Sequence, residues 1–331
     1  KREIKKALIL GFGCGSVASI LQEEYGKNIE MVGIEKDKEV IELDDVIEQS
    51  FIALFSDGHL IYEGEPGVGK TLLANTIART IDAKCSRIQF SPETMPSDLL
   101  YSIGGFDDVD DKRGKTLRDM RLAPGPLFTQ ILIGDEVNRA NPRVLGGLLE
   151  PLEEKQITVE NKTTKLGDFY WGVFTQNPVE SVESTNVLPE ALQERLMLMV
   201  HVPYPSAELL RKIAVHDTRR KNIATVFTAD DIVEIQRAIL DQYILHCEPN
   251  DPVIQYVQRF ITAIHDHRAA LWGPGIRAAQ DFARAAAVHA FLHGKEHITF
   301  DDIRAIAKPV LRFKFMRDVR ASRRLGIKHN D

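Results

Sequence analysis

The sequence predicts an α/β protein, a three-layer parallel sheet followed by a small all-helical lid domain, and three observations carry that prediction. Apolar, strand-like segments alternate with helical ones from about Asp44 to Pro205. A glycine-rich turn, Gly64–Thr71, stands between one such strand and a helix. From Ser206 onward no convincing strand remains, and helix caps and helical periods take over. The expected division is therefore residues 1–43, 44–205 and 206–331.

Taken in order, residues 7–43 read as strand, glycine turn, helix and strand, a short Rossmann-like segment. The strands expected next are Leu60–Tyr62, Ser86–Phe90, Ile131–Gly134, Tyr170–Thr175 and Met197–Val202. Gln156–Phe169 reads as a hairpin, with Ile157 and Val159 alternating. In the last zone Thr228 can cap a helix with Asp231 three residues on, placing Ile232, Ile235 and Ile239 on one face. Thr299 with Asp302 repeats that arrangement ahead of Ile303 and Ile306, and Pro309 stands where the helix should stop or kink. Ala278–His293 is alanine-rich and closes at Gly294, a C-terminal cap.

Composition narrows the function. The chain has 331 residues, 44% of them hydrophobic, enough for two domains with a proper core. A net charge of −6 argues against nucleic acid as the main partner. Cys14, Cys85 and Cys247 are odd in number and far apart, which suggests neither a disulfide framework nor a zinc cluster and fits a cytoplasmic protein. No apolar run is long enough for a membrane span. Lys1, Arg2, Lys5 and Lys6 before Ala7–Leu21 imitate an export signal, but Gly11, Gly13 and Gly15 break its apolar stretch.

Gly64-Glu65-Pro66-Gly67-Val68-Gly69-Lys70-Thr71 fits the G-x-x-x-x-G-K-[ST] phosphate loop at every fixed position. Phosphate oxygens must be met by several backbone N–H groups at once, so the loop needs glycines that permit close approach. Lys70 supplies positive charge for the β- and γ-phosphates, Thr71 a hydroxyl for Mg²⁺, and the helix running on through Leu72 aims its positive end at the same anion. Ile131–Glu136 is an apolar strand ending in two carboxylates: Asp135 can hold the Mg²⁺ shell and Glu136 can polarise the attacking water. ATP and Mg²⁺ are the expected ligands.

With these motifs, residues from about Asp44 to Phe315 resemble the MoxR family of AAA+ ATPases, P-loop NTPases. The resemblance is carried by Gly58-His59, Arg87–Pro92, Pro96–Leu100, Pro124–Phe128, Asp135–Ala140, Leu148–Glu150, Thr175–Pro178, Leu188–Ala191 and Tyr204–Ser206. It implies that Asn177 helps position the attacking water. It further implies that Arg195 is an arginine finger reaching a neighbouring subunit, and that Arg277 is a lid arginine sensing nucleotide within its own subunit. Gly275-Ile276 departs from the small residue and proline usual before that arginine. A homo-hexameric ring with chaperone-like action on a protein client, often one with a von Willebrand factor A domain, is implied as well. Residues 101–123 and Gln156–Phe169 correspond to inserts that face the pore or the partner.

The start resembles something else. Ala7–Gly15, Ser16–Tyr25, the strand Met31–Ile34 and Glu35 resemble the opening of a class I S-adenosylmethionine-dependent methyltransferase. The segment has no room for a whole doubly wound sheet, so it is expected to be catalytically silent. Where the MoxR pattern carries a Val-Gly-Gln type motif for adenine, this chain has Val40-Ile-Glu-Leu43. Two alternatives to an ATPase stay open on the sequence: a methyltransferase using the first glycine turn, and a nucleotide-binding scaffold that does not hydrolyse.

Overall fold

The structure, a computed structural model, describes residues 6–9, 30–33, 43–110, 116–178, 186–207, 210–211, 224–245, 247–248, 250–268 and 270–317. A helix, α1 (Asp44–Phe55), opens the main body with Asp44 and Asp45 in its first turn, where carboxylates favour the positive helix end. The sheet strands follow as β1 (His59–Glu63), β2 (Cys85–Gln89), β3 (Ile131–Asp135), β4 (Trp171–Gln176) and β5 (Leu196–His201). They lie in the order β5-β1-β4-β3-β2, every pairing parallel. The five expected strands are all present, each within a residue of its expected bounds.

A parallel sheet buried on both faces needs apolar side chains at successive positions rather than alternate ones. Leu60, Tyr62, Ile131, Ile133, Trp171 and Val173 enter one core, with α1 and the phosphate-loop helix α2 (Lys70–Ala78). Ile61, Leu132 and Phe174 enter the other, with the short helices Pro142–Gly146 and Leu149–Glu154. The Gly134 position is glycine because a Cβ there would meet Phe174 at 2.6 Å and Phe90 at 2.9 Å.

The lid is built from α3 (Ala229–Ile239), α4 (Pro252–His265), α5 (Ile276–Leu292) and α6 (Phe300–Leu311). Capping boxes at Thr228–Asp231 and Thr299–Asp302 start α3 and α6 as the sequence indicates. Past the end of α5, Gly294 has φ +65°, its N–H reaches Phe291 O and the Lys295 N–H reaches Ala290 O, the paired bonds of a Schellman cap. Pro309 lies inside α6, two residues before its end, instead of stopping it. The lid zone also holds short strands: Phe227–Thr228 runs parallel to Ile81–Asp82, and Ala270–Trp272 antiparallel to Met316–Arg317. Two- and three-residue strands carry no readable alternation, which is why the sequence does not announce them.

Lid and sheet domain share one core. The α1 helix is buried through its second half, Phe55 meets Phe227 edge-on at 5.9 Å, and the Gln236 side chain donates to Leu54 O at 2.7 Å. The expected hairpin forms from Gln156–Val159 and Lys162–Lys165, turning through Glu160 and Asn161, both with positive φ. Tyr101–Asp110 and Thr116–Pro124 form a second, longer hairpin. At the start, Lys6–Ile9 and Glu30–Gly33 pair in parallel as a sheet of their own; the expected glycine turn, the expected helix Ser16–Tyr25 and Glu35 lie outside the described residues.

His59, at the start of β1, is buried between β4 and the helix Leu149–Glu154. Its Nδ1 accepts from the Gly172 N–H at 3.0 Å, which leaves the proton on Nε2 to donate to Leu152 O at 2.8 Å. Burial lowers its pKa below the usual 6.5, opposed by the bond to Leu152 O. The unfolded chain therefore takes up a proton first, and stability falls as pH drops below about 6.5, by up to about 1.4 kcal/mol per pH unit. Urea midpoints at pH 7.5 and 5.5 should show this loss, and His59→Gln, which can make both hydrogen bonds without titrating, should lose less.

Candidate nucleotide site

The strand β1 ends at Glu63 and α2 begins at Lys70, so the glycine-rich loop spans the C-terminal edge of the sheet. Its glycines answer to geometry at three places. Gly67 and Gly69 have φ of +85° and +94°, the left-handed region. A Cβ on Gly64 would lie 2.6 Å from Val202 O. Glu65, Pro66, Gly67 and Gly69 are exposed, and Val68 is tucked into the core below them. Leu72 is 69% exposed on the outer side of α2.

The Lys70 ammonium, at the first helical position, donates to Gly64 O at 2.7 Å, Glu65 O at 2.8 Å and Asn177 Oδ1 at 2.9 Å. All three of its protons are thus satisfied, two by loop carbonyls and one by Asn177. Burial lowers its pKa, while the charges of Glu136, Glu63 and Asp135 work to raise it.

Asp135 is the meeting point of the site, almost fully buried at the end of β3. Its Oδ1 accepts from Thr71 Oγ1 at 2.6 Å and Thr175 Oγ1 at 3.2 Å, and its Oδ2 from Arg87 Nε at 2.5 Å. Two hard oxygen donors, Thr71 Oγ1 and Asp135 Oδ1, thus stand side by side, the donor chemistry a small divalent cation takes alongside phosphate. Glu136 follows with φ +53°, a left-handed turn that swings its side chain away from the strand line. Its N–H donates to Thr175 Oγ1 at 3.0 Å, and Arg139 holds its carboxylate at 2.8 Å. Asn177, at the end of β4, is fixed by its carbonyl accepting from Asn138 Nδ2 at 2.9 Å.

The structure therefore brings together Lys70, Thr71, Asp135, Glu136 and Asn177 at one edge of the sheet. Sequence reasoning gave no role to Arg87, Thr175, Asn138 or Arg139; all four stand in segments that carry the family resemblance, and that was their only signal.

Arg195 and Arg277 lie elsewhere. Arg195 directly precedes β5, whose first residue pairs with His59 at the start of β1. It thus belongs to the N-terminal edge of the sheet, about 16 Å of strand from the phosphate loop. Its guanidinium donates to Ala191 O at 2.7 Å and Leu149 O at 3.2 Å and faces Glu153 at 3.4 Å. Arg277 donates to the same Glu153 at 2.6 Å. The start of the lid helix is pressed here, since a Cβ on Gly275 would meet Glu194 Oε1 at 2.6 Å. The Arg277 guanidinium, tied to Glu153, thus sits with Arg195 at the far edge from the loop. Val40 to Glu42, in the place of the adenine motif, lie outside the described residues, and Leu43 is partly buried against the core.

A parallel sheet in this order, with phosphate loop and paired acids at one edge and a helical lid, defines a nucleoside-triphosphate-hydrolysing ATPase. Residues 59–198 match the ATPase family associated with various cellular activities (AAA), and residues 261–324 match the AAA lid domain. The uncharacterized protein YeaC of Bacillus subtilis is 30% identical over 275 residues, 82% of each chain. Chaperone MoxR1 of Mycobacterium tuberculosis is 28% identical, covering 84% of this chain and 72% of its own. Protein MoxR of Methylorubrum extorquens is 27% identical over 88% of both. A crystal structure of a protein from Cytophaga hutchinsonii superposes with a TM-score of 0.72 at 28% identity, covering 88% of this chain and 90% of the other. The chain belongs to the MoxR family of AAA+ ATPases. The two family models fall on the ATPase core and lid, and they favour that reading over a methyltransferase.

Gly64→Ala should displace the loop, because the new methyl group meets a backbone oxygen that cannot turn aside. An overpacking cost of about 1–3 kcal/mol falls directly on the binding conformation, so ATP affinity should drop by roughly tenfold or more. Nucleotide titration with circular dichroism as the folding control checks this.

Proposed function

We propose that this ATPase couples ATP hydrolysis to the remodelling, assembly or activation of a partner protein, working as a homo-hexameric ring. The observation that carries the proposal is the division of the charged groups between the two edges of the sheet. Lys70, Thr71, Asp135, Glu136 and Asn177 occupy one edge, while Arg195 and Arg277 share Glu153 near the other. A finger that cannot reach its own phosphates serves a neighbour's, and that requires an assembly.

In this reading the loop N–H groups of Gly64–Thr71 hold the phosphates and Lys70 leaves the loop carbonyls for the β- and γ-phosphate oxygens. Mg²⁺ held beside Thr71 and Asp135 supplies charge neutralisation of the phosphates. Asn177 and Glu136 orient the attacking water, Glu136 accepting its proton as the bond to the γ-phosphorus forms and the bond to ADP breaks. Arg195 and Arg277 exchange Glu153 for the neighbour's γ-phosphate, both in trans. The chaperone name of the Mycobacterium tuberculosis relative supports the remodelling role. A client bearing a von Willebrand factor A domain and a cytoplasmic location complete the proposal; among the described residues no helix is long and apolar enough to cross a membrane.

Lys70→Ala should abolish nucleotide binding, whereas Glu136→Gln should keep binding and lose hydrolysis, because only water activation is removed. Phosphate release alongside fluorescent-nucleotide titration separates the two. Equal hydrolysis by wild type and Glu136→Gln would show that the acid is misassigned, whereas nucleotide binding by wild type without any phosphate release would favour the scaffold reading.

Arg195→Ala should bind ATP and hydrolyse it roughly a thousandfold more slowly. Mixing it with Lys70→Ala should restore part of the rate, since mixed rings join a sound loop to a sound finger. Mixed rings that form and stay inactive at every ratio would refute action in trans.

A further inference from the structure

We infer that Glu48, His289 and His293 form a Zn²⁺ site that ties the lid to the ATPase core. Glu48 lies on α1 of the sheet domain, His289 on α5, and His293 caps the same helix. Their ligand atoms all lie within 4.8 Å of one another. His289 Nε2 and His293 Nδ1 each stand 3.7 Å from the same oxygen, Glu48 Oε1. A tetrahedral ion with bonds of about 2.0–2.1 Å holds its donors roughly 3.3 Å apart, so small side-chain shifts close the site.

The hydrogen bonding prepares one of the two imidazoles, that of His289. His289 Nδ1 lies 2.7 Å from Asp302 Oδ1, and a carboxylate only accepts, so the Nδ1 atom carries the proton. The lone pair of the neutral ring is then on Nε2, aimed at Glu48. Such a carboxylate behind a histidine fixes ring orientation and raises ligand basicity. Asp302 is itself fully buried and held by Lys295 at 2.6 Å and by the Thr299 hydroxyl and N–H. Lys295 balances the Asp302 charge, which leaves the Glu48 charge to the ion. The two imidazoles stack at 4.2 Å, 24° from parallel. The Nδ1 atom of His293 donates to His289 O at 2.9 Å, and binding exchanges that bond for a coordinate one by rotating a half-exposed ring. Two imidazoles and one carboxylate with a position left for water suit Zn²⁺ over Mg²⁺ or Ca²⁺, which prefer oxygen donors throughout.

The sequence shows the two histidines four apart on a helix but no third donor, because Glu48 is 241 positions before His289 and only the packing of α5 on α1 brings it in.

The test uses the tag-free full chain, stripped with a chelator. Zn²⁺ affinity is measured by competition with a chromophoric chelator, and Co²⁺ absorption reports the geometry. The expected result is one tight ion per chain, a tetrahedral Co²⁺ spectrum, and a Tm raised by Zn²⁺. His293→Ala and Glu48→Gln should each weaken binding beyond the roughly tenfold to hundredfold typical of second-layer changes, and remove the Tm rise. His293 is half-exposed, so its variant tests binding without threatening the fold, and Lys70→Ala should bind Zn²⁺ as wild type does. No ion retained by wild type, or the same affinity in wild type and the His289→Ala/His293→Ala double variant, would overturn the inference.

Discussion

One buried carboxylate organises the nucleotide edge. Asp135 accepts hydrogen bonds from Thr71 on the loop helix, Thr175 on β4 and Arg87 on β2, so three separate segments are registered on two oxygen atoms. A carboxylate with almost no exposure persists only when paired and fully hydrogen-bonded, and breaking such a set by removing one member is strongly unfavourable. The cost of burial thus becomes a positioning device. Thr175 passes the constraint on, since the same hydroxyl accepts from the Glu136 N–H and fixes the left-handed turn that presents the second acid. Lys70 is registered independently through Asn177, at the end of the strand that carries Thr175.

The parallel sheet supplies the other constraint. Because every strand runs the same way, all five C-terminal ends share one edge, and a residue that precedes a strand is separated from the phosphate loop by the strand's length. Arg195 is in that position before β5. Glu153 then draws Arg277 to the same corner, its Oε1 2.6 Å from Arg277 and its Oε2 3.4 Å from Arg195, so both guanidiniums face one carboxylate. A shared counterion couples the two: withdrawing either arginine leaves Glu153 with the other alone.

What was legible in the sequence was local. The strands of the sheet show as apolar runs because both faces are buried, the loop shows because its glycines answer to backbone geometry, and Thr228 and Thr299 show because a capping box spans only four residues. The bonds that fix the site are long-range, and neither propensity nor period reports them: Thr71 with Asp135, Lys70 with Asn177, His59 with Gly172. Arg277 was located by its family pattern, but its geometry depends on how the lid packs, which that pattern does not contain. Glu153 gave no signal, being one of several acids near the end of an ordinary amphipathic helix. Pro309 was placed correctly near a helix end, yet α6 continues two residues past it: the bond to Ala305 O is forfeited, but the turn beyond still closes through the Arg312 N–H to Lys308 O at 2.9 Å.

The lid helix α5 joins these two systems physically. It runs 17 residues, about 25 Å, with neither proline nor glycine inside it. Arg277 occupies its first turn, at the Glu153 corner, and His289 its last, against Glu48 on α1. Ala285, Ala286, Ala287 and Ala290 are wholly buried, which lets the helix sit close in the core without room to tilt locally. A helix so packed and unbroken moves as a unit or not at all. Arg277 and His289 are thereby held at a fixed separation, one at the Glu153 corner and the other against Glu48 on α1. The arginine corner and the lid–core contact are two ends of one rigid element, and α1, which receives its far end, leads directly into β1 and the phosphate loop.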